Sequence, residues 1–450
     1  MGSNFTRRDF LKWTSAGAGA AAMGAGIWSI GRNDGSGTRA VGARRPTGPA
    51  TTVAPGDTTG GTAAAAAPGQ PVSAVGDLAR RRLVVVEFDG GNDGLSTLVP
   101  YGVPAYYDLR ASTAIGASDV LALDDQAGFH RNLTNVQARG LAAVEGVGSF
   151  TPDGSHFEMM RRWWAGDADG SGAYDTGFLG RLADAIGDPS APAVALSIGS
   201  GSHPALISRK VSTLALPSAD AARYVTGATN DDQVRWLFQQ AFAAFSDGDG
   251  DGALAWLRSV DRQTIGFAST LAGLADQSDD PPTDAVEYPG SNLGNGLRLA
   301  ASLVSADNGL RIVHVPMGGD FDTHEDHVSR HAGLLSDFDA AMNAFLDDLD
   351  RRGVADQVLV MTASEFGRRA RDNGSGGLDH GTASTALLAG PVNPGRYGAS
   401  PSLTDLDEND NLVATVGLDA YYATVAERWF GVPAGELFTQ APELIDGLLV

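Results

Sequence analysis

The amino-acid sequence predicts an α/β fold with a doubly wound, mostly parallel sheet and helices on both faces. Six short apolar runs, rich in β-branched residues, have the length of buried strands. Segments with helical spacing lie between them, and this alternation favours a parallel sheet that is covered on both sides. Acidic residues and histidines follow several of these runs directly, which is where open α/β sheets place their sites.

The first residues of the chain have the features of an export signal. A pair of arginines, Arg7 and Arg8, precedes a Phe-Leu-Lys sequence and a weakly apolar run of alanine and glycine that continues to about residue 30. So glycine-rich a run is a poor buried helix, and it is too short and too weakly apolar for a transmembrane span. We therefore interpret residues 1–43 as a twin-arginine signal peptide, which leaves a mature chain without a transmembrane span.

Charge and cysteine content exclude several classes of function. The net charge of -22 at pH 7 argues against nucleic acid or an anionic membrane surface as a partner. The absence of cysteine excludes a disulfide framework, a thiolate metal site and a cysteine nucleophile. Residues 44–79 are rich in proline, threonine, glycine and alanine without periodicity, which predicts a flexible linker before a folded domain over residues 80–450.

The strands and helices of this domain can be placed from their patterns. The predicted strands are residues 83–88, 141–147, 193–198, 311–315, 357–362 and 385–388. The predicted helices are residues 155–165, 231–245, 253–275, 292–306, 325–352 and 419–430. Residues 205–290 have fewer strand signals than the rest, so we expect a helical insertion or cap there.

The first predicted strand is followed at once by a glycine-rich turn that carries Asp89, Asn92 and Asp93. Glycines let the backbone turn tightly and approach a ligand, and a carboxylate after a strand points out of the sheet edge. An ordinary turn is the alternative. The spacing is not the dinucleotide-binding fingerprint, because the pattern G-x-G-x-x-G is missing.

The second predicted strand leads to Ser155 and His156. Ser155 and Glu158 have the spacing of a capping box that opens a helix. A hydroxyl beside a helix N-terminus lies where unpaired N–H groups favour an anion such as phosphate. Ser155 is therefore a candidate nucleophile or a simple N-cap, and His156 either lines a site or packs in the core.

The stretch from Asp320 to His331 combines carboxylates and imidazoles. Asp322 and His324 occupy alternate positions of extended chain, so both side chains can reach one ion. Asp320 and His324 form a competing pair. His327 and His331 are four residues apart on the following helix, and His331 falls on its apolar stripe. We therefore expect His331 in the buried face and leave the role of His327 open.

Two further groups complete the candidate site. Glu365 and Arg368 follow a strongly apolar strand, where Glu365 is a candidate metal ligand and Arg368 a candidate clamp for phosphate or sulfate. A simple Glu–Arg ion pair is the alternative. Asp379 and His380 lie in a later loop rich in glycine and serine. Together these oxygen and nitrogen ligands predict a site for one or two divalent ions, such as Zn²⁺, Mg²⁺, Mn²⁺ or Ca²⁺.

The motifs resemble those of one large bacterial family, domain of unknown function 1501, over roughly residues 80–450. They are, in order, Phe88–Gly94, Ser155–Phe157, Phe321–His324, Ser364–Arg368 and Asp379–Gly381, after a twin-arginine signal. The motif plan is similar to that of the alkaline phosphatase and sulfatase superfamily. The resemblance implies an alkaline-phosphatase-like doubly wound sheet, usually two divalent metals, and a nucleophile at a helix N-terminus.

The resemblance also implies roles for particular residues. Asp89 matches the first-strand metal ligand, and Ser155 lies in the region of the nucleophile. Asp322 and His324 match a ligand pair, and His380 matches the last histidine ligand. Glu365 falls where the superfamily usually has an Asp-His pair, and this departure puts the second metal in question.

These observations predict a secreted, metal-dependent hydrolase of phosphate esters, with sulfate esters less favoured. There is no cysteine and no Ser-x-Pro-x-Arg motif to become formylglycine, which argues against the usual sulfatase chemistry. The expected substrate is an anionic small-molecule or polymer ester, met outside the cell or in the cell envelope. The alternative is a non-catalytic extracellular binding or assembly protein that keeps a degenerate phosphatase-like site.

Overall fold

The computed structural model describes residues 78–199, 201–217, 285–306 and 308–450. The predicted signal peptide, almost all of the predicted linker, the predicted helices at 231–245 and 253–275, and most of the predicted insertion at 205–290 lie outside the described residues. None of the helices in the described ranges has the length and hydrophobicity needed to cross a membrane.

Strands and helices alternate along most of the described chain. The strands are β1 Arg82–Glu87, β2 Leu98–Val99, β3 Val120–Ala122, β4 Gly128–His130, β5 Ala142–Gly148, β6 Ala195–Ser197, β7 Thr213–Ala215, β8 Ile312–Pro316, β9 Val358–Ala363, β10 Ser384–Ala389, β11 Gly395–Tyr397 and β12 Val416–Gly417. The α-helices are α1 Gly94–Thr97, α2 Pro104–Leu109, α3 Thr134–Ala138, α4 His156–Ala165, α5 Phe178–Ile186, α6 Asn292–Ser305, α7 His327–Arg352, α8 Leu418–Thr424 and α9 Ala434–Leu437. Helix α8 continues as a π-helical turn, Val425–Trp429.

The main sheet confirms the predicted fold class. Its strand order is β11-β5-β10-β9-β1-β8-β6-β7, and β12 also pairs with β5. The pairs are parallel except those of β10, which runs antiparallel to both β5 and β9. A separate small antiparallel sheet has the order β2-β4-β3. The sequence did not predict this small sheet, because strands of two or three residues carry little periodicity.

Each face of the main sheet is covered by helices, as the alternating pattern predicts. Val84 and Val86 of β1 pack with α6 and α7 on one face, while Leu83 and Val85 pack with α4, α5 and α8 on the other. Full burial of such side chains stabilises the fold by about 1.5–3 kcal/mol each. The central strands are therefore apolar on both sides, which is why they read as continuous runs.

All six predicted strands and the described predicted helices are present, with shifted ends. The structure also contains α5, which was not predicted. Most of the region expected to be a helical insertion or cap lies outside the described residues, so that expectation stays a prediction. The described first part of this region contains β7, a strand parallel to β6 at the edge of the sheet. Three residues at a sheet edge bury too little apolar surface to leave a pattern in the sequence.

The strand directions explain how distant residues reach one place. Strands β8, β1 and β9 are neighbours and run parallel, so Asp322, Asp89 and Glu365 all follow their carboxyl ends. Strand β10 runs the other way, so the loop before it, with His380, returns to the same edge. Strand β5 is parallel to the central three, and the loop after it leads to His156.

Candidate metal centre

Three histidines and one aspartate meet at this edge of the sheet. Asp322 Oδ1 lies 3.0 Å from His324 Nε2 and 3.1 Å from His380 Nε2. His380 Nε2 lies 3.0 Å from His156 Nε2 and 3.1 Å from His324 Nε2. The four side chains are between 25 and 44% exposed, so the cluster is open to solvent on one side. We call His156, Asp322, His324 and His380 the histidine cluster.

The other ring nitrogen of each histidine fixes its tautomer. His380 Nδ1 is 3.1 Å from the carbonyl oxygen of Gly154, which can only accept a hydrogen bond. His324 Nδ1 is 3.0 Å from Asp379 Oδ1, and His156 Nδ1 is 2.9 Å from Glu365 Oε1. Each Nδ1 therefore carries the proton, and in the neutral ring each Nε2 presents a lone pair to the cluster.

The cluster consequently contains acceptors that face one another. Burial lowers the pKa of His380, and the nearby charge of Arg368 lowers it further, which favours the neutral ring. Two lone pairs about 3 Å apart repel unless a cation or a proton lies between them. Nitrogen ligands of a tetrahedral Zn²⁺ lie roughly 3.3 Å apart when each bond is about 2.0–2.1 Å. His156, Asp322 and His380 each offer a ligand atom within 4.8 Å of the other two, and His324 lies beside them. These residues therefore fit a divalent ion, and imidazoles favour a transition metal such as Zn²⁺.

Asp379 and Glu365 act on the cluster through the histidines. Asp379 Oδ1 also accepts a hydrogen bond from Asn373, and these bonds lower the pKa of Asp379, so it stays ionised. Glu365 Oε1 accepts from the backbone N–H of Gly90 at 2.8 Å as well as from His156. In metal sites such carboxylates orient the imidazole and raise its basicity. A direct bond between Glu365 and the ion stays a prediction.

Arg368 is fully buried and faces Asp322. Its Nη2 donates to Asp322 Oδ1 at 2.6 Å and to the carbonyl of Gly90, while Nε and Nη1 donate to the carbonyls of Gly91 and Leu378. Burial alone would raise the pKa of Asp322, but the hydrogen bond and charge of Arg368 outweigh it and lower that pKa. This geometry favours positioning of Asp322 over contact with a substrate, and the predicted phosphate clamp stays a prediction.

Asp89 and Asp320 lie beside the cluster. Burial raises the pKa of Asp89 to about 7, and the negative charges of Glu87 and Glu365 contribute. No hydrogen bond in the described structure joins the Asp89 carboxylate to the histidine cluster. Asp320 accepts from the backbone N–H of Asp322 at 2.9 Å and is 68% exposed, so it braces the turn and does not contact His324.

Asn92, Asp93, His327 and His331 form a separate buried network. Asp93 makes two hydrogen bonds to Arg110, at 2.7 and 2.9 Å, and lies 3.3 Å from His327 Nε2. Asn92 Oδ1 lies 3.0 Å from His331 Nε2. Both histidines are 1% exposed, so the network joins α7 to the loop after β1 and is closed to solvent. The buried position expected for His331 is found.

Ser155 is the N-cap residue of α4, but the predicted capping box is not formed. Its side chain makes no capping hydrogen bond, and Glu158 instead pairs with Arg161 and Arg162. Bonds to two guanidinium groups are charge-assisted and therefore stronger than one to a backbone N–H. Ser155 is exposed and lies between Gly154, whose carbonyl contacts His380, and His156, which belongs to the cluster. Its role as a nucleophile stays a prediction.

A second group of titratable residues was not predicted. Glu87, at the end of β1, lies 2.9 Å from His203 Nε2 and 2.7 Å from His314 Nε2. His314 is in β8, and all three ligand atoms lie within 4.8 Å of one another. The available signal was a charged or titratable residue inside each of two otherwise apolar strand runs. We call Glu87, His203 and His314 the Glu87 cluster.

Several solved structures are similar to this chain over most of its length. A lipoteichoic acid synthase, LtaP, from Listeria monocytogenes has 9% identity and a TM-score of 0.34, over 79% of this chain and 73% of that chain. The alkaline phosphatase of the Antarctic bacterium TAB5 has 16% identity and a TM-score of 0.32, over 70% and 94%. The PsFucS1 sulfatase of Pseudoalteromonas sp. has 12% identity and a TM-score of 0.33, over 81% and 70%. These TM-scores are too low to support a conclusion about this site.

Sequence comparisons give the family. No curated protein matches the chain significantly. The twin-arginine translocation pathway signal matches residues 4–24, which confirms the predicted export signal. The family described as Protein of unknown function (DUF1501) matches residues 80–436, and this range includes the motifs that form the histidine cluster. The chain therefore belongs to that family.

Proposed function

We propose that the protein is an exported, metal-dependent hydrolase of phosphate esters. The observation that carries this proposal is the histidine cluster. His380 Nε2 lies 3.0–3.1 Å from the Nε2 atoms of His156 and His324 and from Asp322 Oδ1, and His156 Nε2 lies 3.9 Å from Asp322 Oδ2. Within the described residues, Arg368 is the group that donates a hydrogen bond to the Asp322 side chain, because the histidine Nε2 atoms carry no proton. Such a set of acceptors, open on one side, is suited to hold a cation that an anionic ester can reach.

Each residue has a defined part in this proposal. His156, His324, His380 and Asp322 would hold the ion. Such an ion supplies positive charge for ester oxygens and lowers the pKa of water. Ser155 lies at the N-terminus of α4, where unpaired backbone N–H groups favour a phosphate group. The attacking group is either the Ser155 hydroxyl or water. Phosphate is preferred to sulfate because no residue can become formylglycine.

The export signal agrees with this function. The twin-arginine route carries folded proteins, so the centre can be filled before the protein leaves the cytoplasm. The protein would then act outside the cell or in the cell envelope, on an anionic small-molecule or polymer ester. Its own net charge of -22 would disfavour long anionic polymers at low salt and favour small esters.

One observation favours a second candidate function. The donors of Arg368 are directed to three backbone carbonyls and to Asp322, so this buried guanidinium is not free for a transferring phosphoryl group. Phosphoryl transfer depends on such stabilising charge. A non-catalytic binding or assembly protein that keeps the ion for structure would be expected to show this arrangement.

The two functions can be separated by metal analysis combined with a substrate panel. The purified chain would be dialysed, its metals measured by mass spectrometry, and aryl phosphates, phosphodiesters and sulfates assayed with Zn²⁺, Mg²⁺, Mn²⁺ or Ca²⁺. We expect a bound transition metal and turnover of a phosphate ester. The variant His380→Ala should lose on the order of 100-fold in rate or more. His130→Asn, outside the cluster, is the matched control and should retain activity.

The results that contradict the proposal are equally specific. Bound metal without turnover of any ester would support the binding protein. Absence of both metal and turnover under every condition would remove the enzyme proposal and the metal centre with it.

A further inference from the structure

We infer that this edge of the sheet binds a single divalent ion per chain, because the protein assigns different tautomers to its histidine clusters. The inference rests on the metal centre of the proposed function and departs from the two ions that the superfamily resemblance implies. All 8 histidines of the chain lie in the described residues, so each ring can be assigned from its neighbours.

The Glu87 cluster has the composition of a second ion site. Two imidazoles and a carboxylate make a donor set that zinc enzymes use. The cluster is well buried, with side-chain exposures of 12% for Glu87, 16% for His203 and 3% for His314. Its ligand atoms lie within 4.8 Å of one another, as do those of His156, Asp322 and His380. Proximity alone would therefore predict two ions.

The hydrogen bonds of His203 oppose ion binding. Its Nδ1 accepts from the backbone N–H of Ala205 at 3.3 Å, in the first turn of the 3-10 helix Pro204–Leu206. A nitrogen that accepts has no proton, so the proton of the neutral ring is on Nε2. This Nε2–H points at Glu87 Oε2, and a protonated nitrogen cannot be a metal ligand.

Both carboxylate oxygens of Glu87 also accept hydrogen bonds from other side chains. His314 Nε2 donates to the same oxygen at 2.7 Å, and Trp164 Nε1 donates to Oε1 at 2.7 Å. The carboxylate thus receives three N–H donors, while the Ser197 hydroxyl lies 3.0 Å from His314 Nδ1. In the Glu87 cluster the hydrogen-bond donors and acceptors are therefore paired with one another without an ion. This is the reverse of the histidine cluster, where the acceptors outnumber the donors.

The buried network offers no second site either. The Asp93 carboxylate accepts hydrogen bonds from Arg110. His331 Nε2 carries the proton of its ring, because it donates to Asn92 Oδ1, which can only accept. His331 Nδ1 has no hydrogen-bond partner in the described structure, but a single lone pair does not make an ion site. Of these three groups of histidines in the described residues, the histidine cluster is the one that offers several unprotonated ligand atoms to a divalent ion.

The first test is the number of ions. Native mass spectrometry of the zinc-loaded chain should show one ion per protein, and the same for His203→Asn and His314→Gln. Asparagine at 203 keeps an acceptor for the Ala205 N–H, so that variant is expected to fold. His380→Ala should show none at the same zinc concentration.

Other ion counts from this experiment would either overturn or support the inference. Two ions in the natural chain would overturn the inference, and a fall to one in His203→Asn would place the second ion in the Glu87 cluster. No ion would overturn the metal centre as well. One ion without ester turnover would support this inference while the proposed hydrolase fails.

The second test needs no variant. Long-range ¹H–¹⁵N correlation spectra of metal-free protein labelled with ¹⁵N-histidine report which ring nitrogen carries the proton. We expect Nδ1–H for His156, His324 and His380, and Nε2–H for His203 and His331. A proton on Nδ1 of His203 would overturn the assignment and restore the Glu87 cluster as an ion site.

Discussion

Arg368 shows how one buried side chain sets the position of a proposed metal ligand. Its guanidinium connects the loop after β1, the loop before β10 and Asp322, which otherwise belong to distant parts of the chain. The planar fork of arginine can serve these acceptors together, whereas the single ammonium of lysine cannot. The position of Asp322 therefore depends on the identity of residue 368 as well as on its charge.

The variant Arg368→Lys tests this dependence. It should weaken zinc binding by roughly 10–100-fold, because Asp322 loses its fixed orientation. Unpaired carbonyls and a poorly placed buried charge should also destabilise the fold by about 3–5 kcal/mol. Competition with a chromogenic chelator measures the first effect, and urea unfolding the second. Zinc affinity equal to that of the natural chain would contradict the positioning role.

Asp379 is a second residue whose effect passes through a histidine. Asp379→Asn should lower zinc affinity by about 10-fold, since the charge that makes His324 more basic is removed. Stability should change little, because the Asp379 side chain is 45% exposed. Asp320→Asn is the matched control, as Asp320 is 68% exposed and contacts the backbone N–H of Asp322 and the side chain of Arg330. Equal loss in both variants would show a general charge effect.

At the scale of elements, a buried ion pair joins the end of α2 to the loop after β1, beside the start of α7. Arg110 and Asp93 are 0 and 1% exposed, and His327 adds a contact from α7. Burial alone would raise the pKa of Asp93, but the charge of Arg110 and its hydrogen bonds hold that pKa well below its ordinary value. Breaking one partner of such a pair is costly because the other charge remains buried.

Asp93→Asn should therefore destabilise the protein by about 3–5 kcal/mol at pH 7. The folded-state pKa of Asp93 is depressed, so its contribution is complete above the unfolded value of about 3.9. The contribution is lost as pH falls from there through the folded pKa. Urea midpoints measured between neutral and acid pH should fall less steeply for Asp93→Asn than for the natural chain. If the urea midpoint fell equally steeply with pH in both proteins, the depressed pKa of Asp93 would be contradicted.

Residue patterns predict most of the fold and part of the site, for physical reasons. The apolar runs of β1 and β9 predict their own burial, and the motifs near the strand ends predict that Asp89, Asp322, His324, Glu365 and His380 converge. Asp322, His324 and His380 are in contact, Glu365 reaches the cluster through His156, and direct ligation by Asp89 or Glu365 stays a prediction. The sequence does not decide whether His156 lines the site or packs in the core, because its position depends on a helix direction that the sequence does not give. The Glu87 cluster was missed because His203 and His314 are joined by tertiary contact alone.

At the scale of the whole molecule, an ion in the histidine cluster would stabilise the folded state by mass action. Stabilisation is expected to be about 2.7 kcal/mol when free zinc is 100 times the dissociation constant. Adding a chelator should lower the thermal midpoint of the natural chain by a few degrees. His380→Ala should show no such change. A thermal midpoint of the natural chain that changes with neither zinc nor chelator would contradict an ion at this edge of the sheet.

The distance along the chain between the clustered residues has a consequence for the stability of the exported protein. His156 and His380 are 224 positions apart, and both are in contact at one point. Many exported proteins cross-link such remote segments with disulfides, but this chain has no cysteine. An ion bound between those histidines would act as a reversible cross-link between two remote segments of the chain. A chelator that removes the ion, and not a reducing agent, would then destabilise the folded protein.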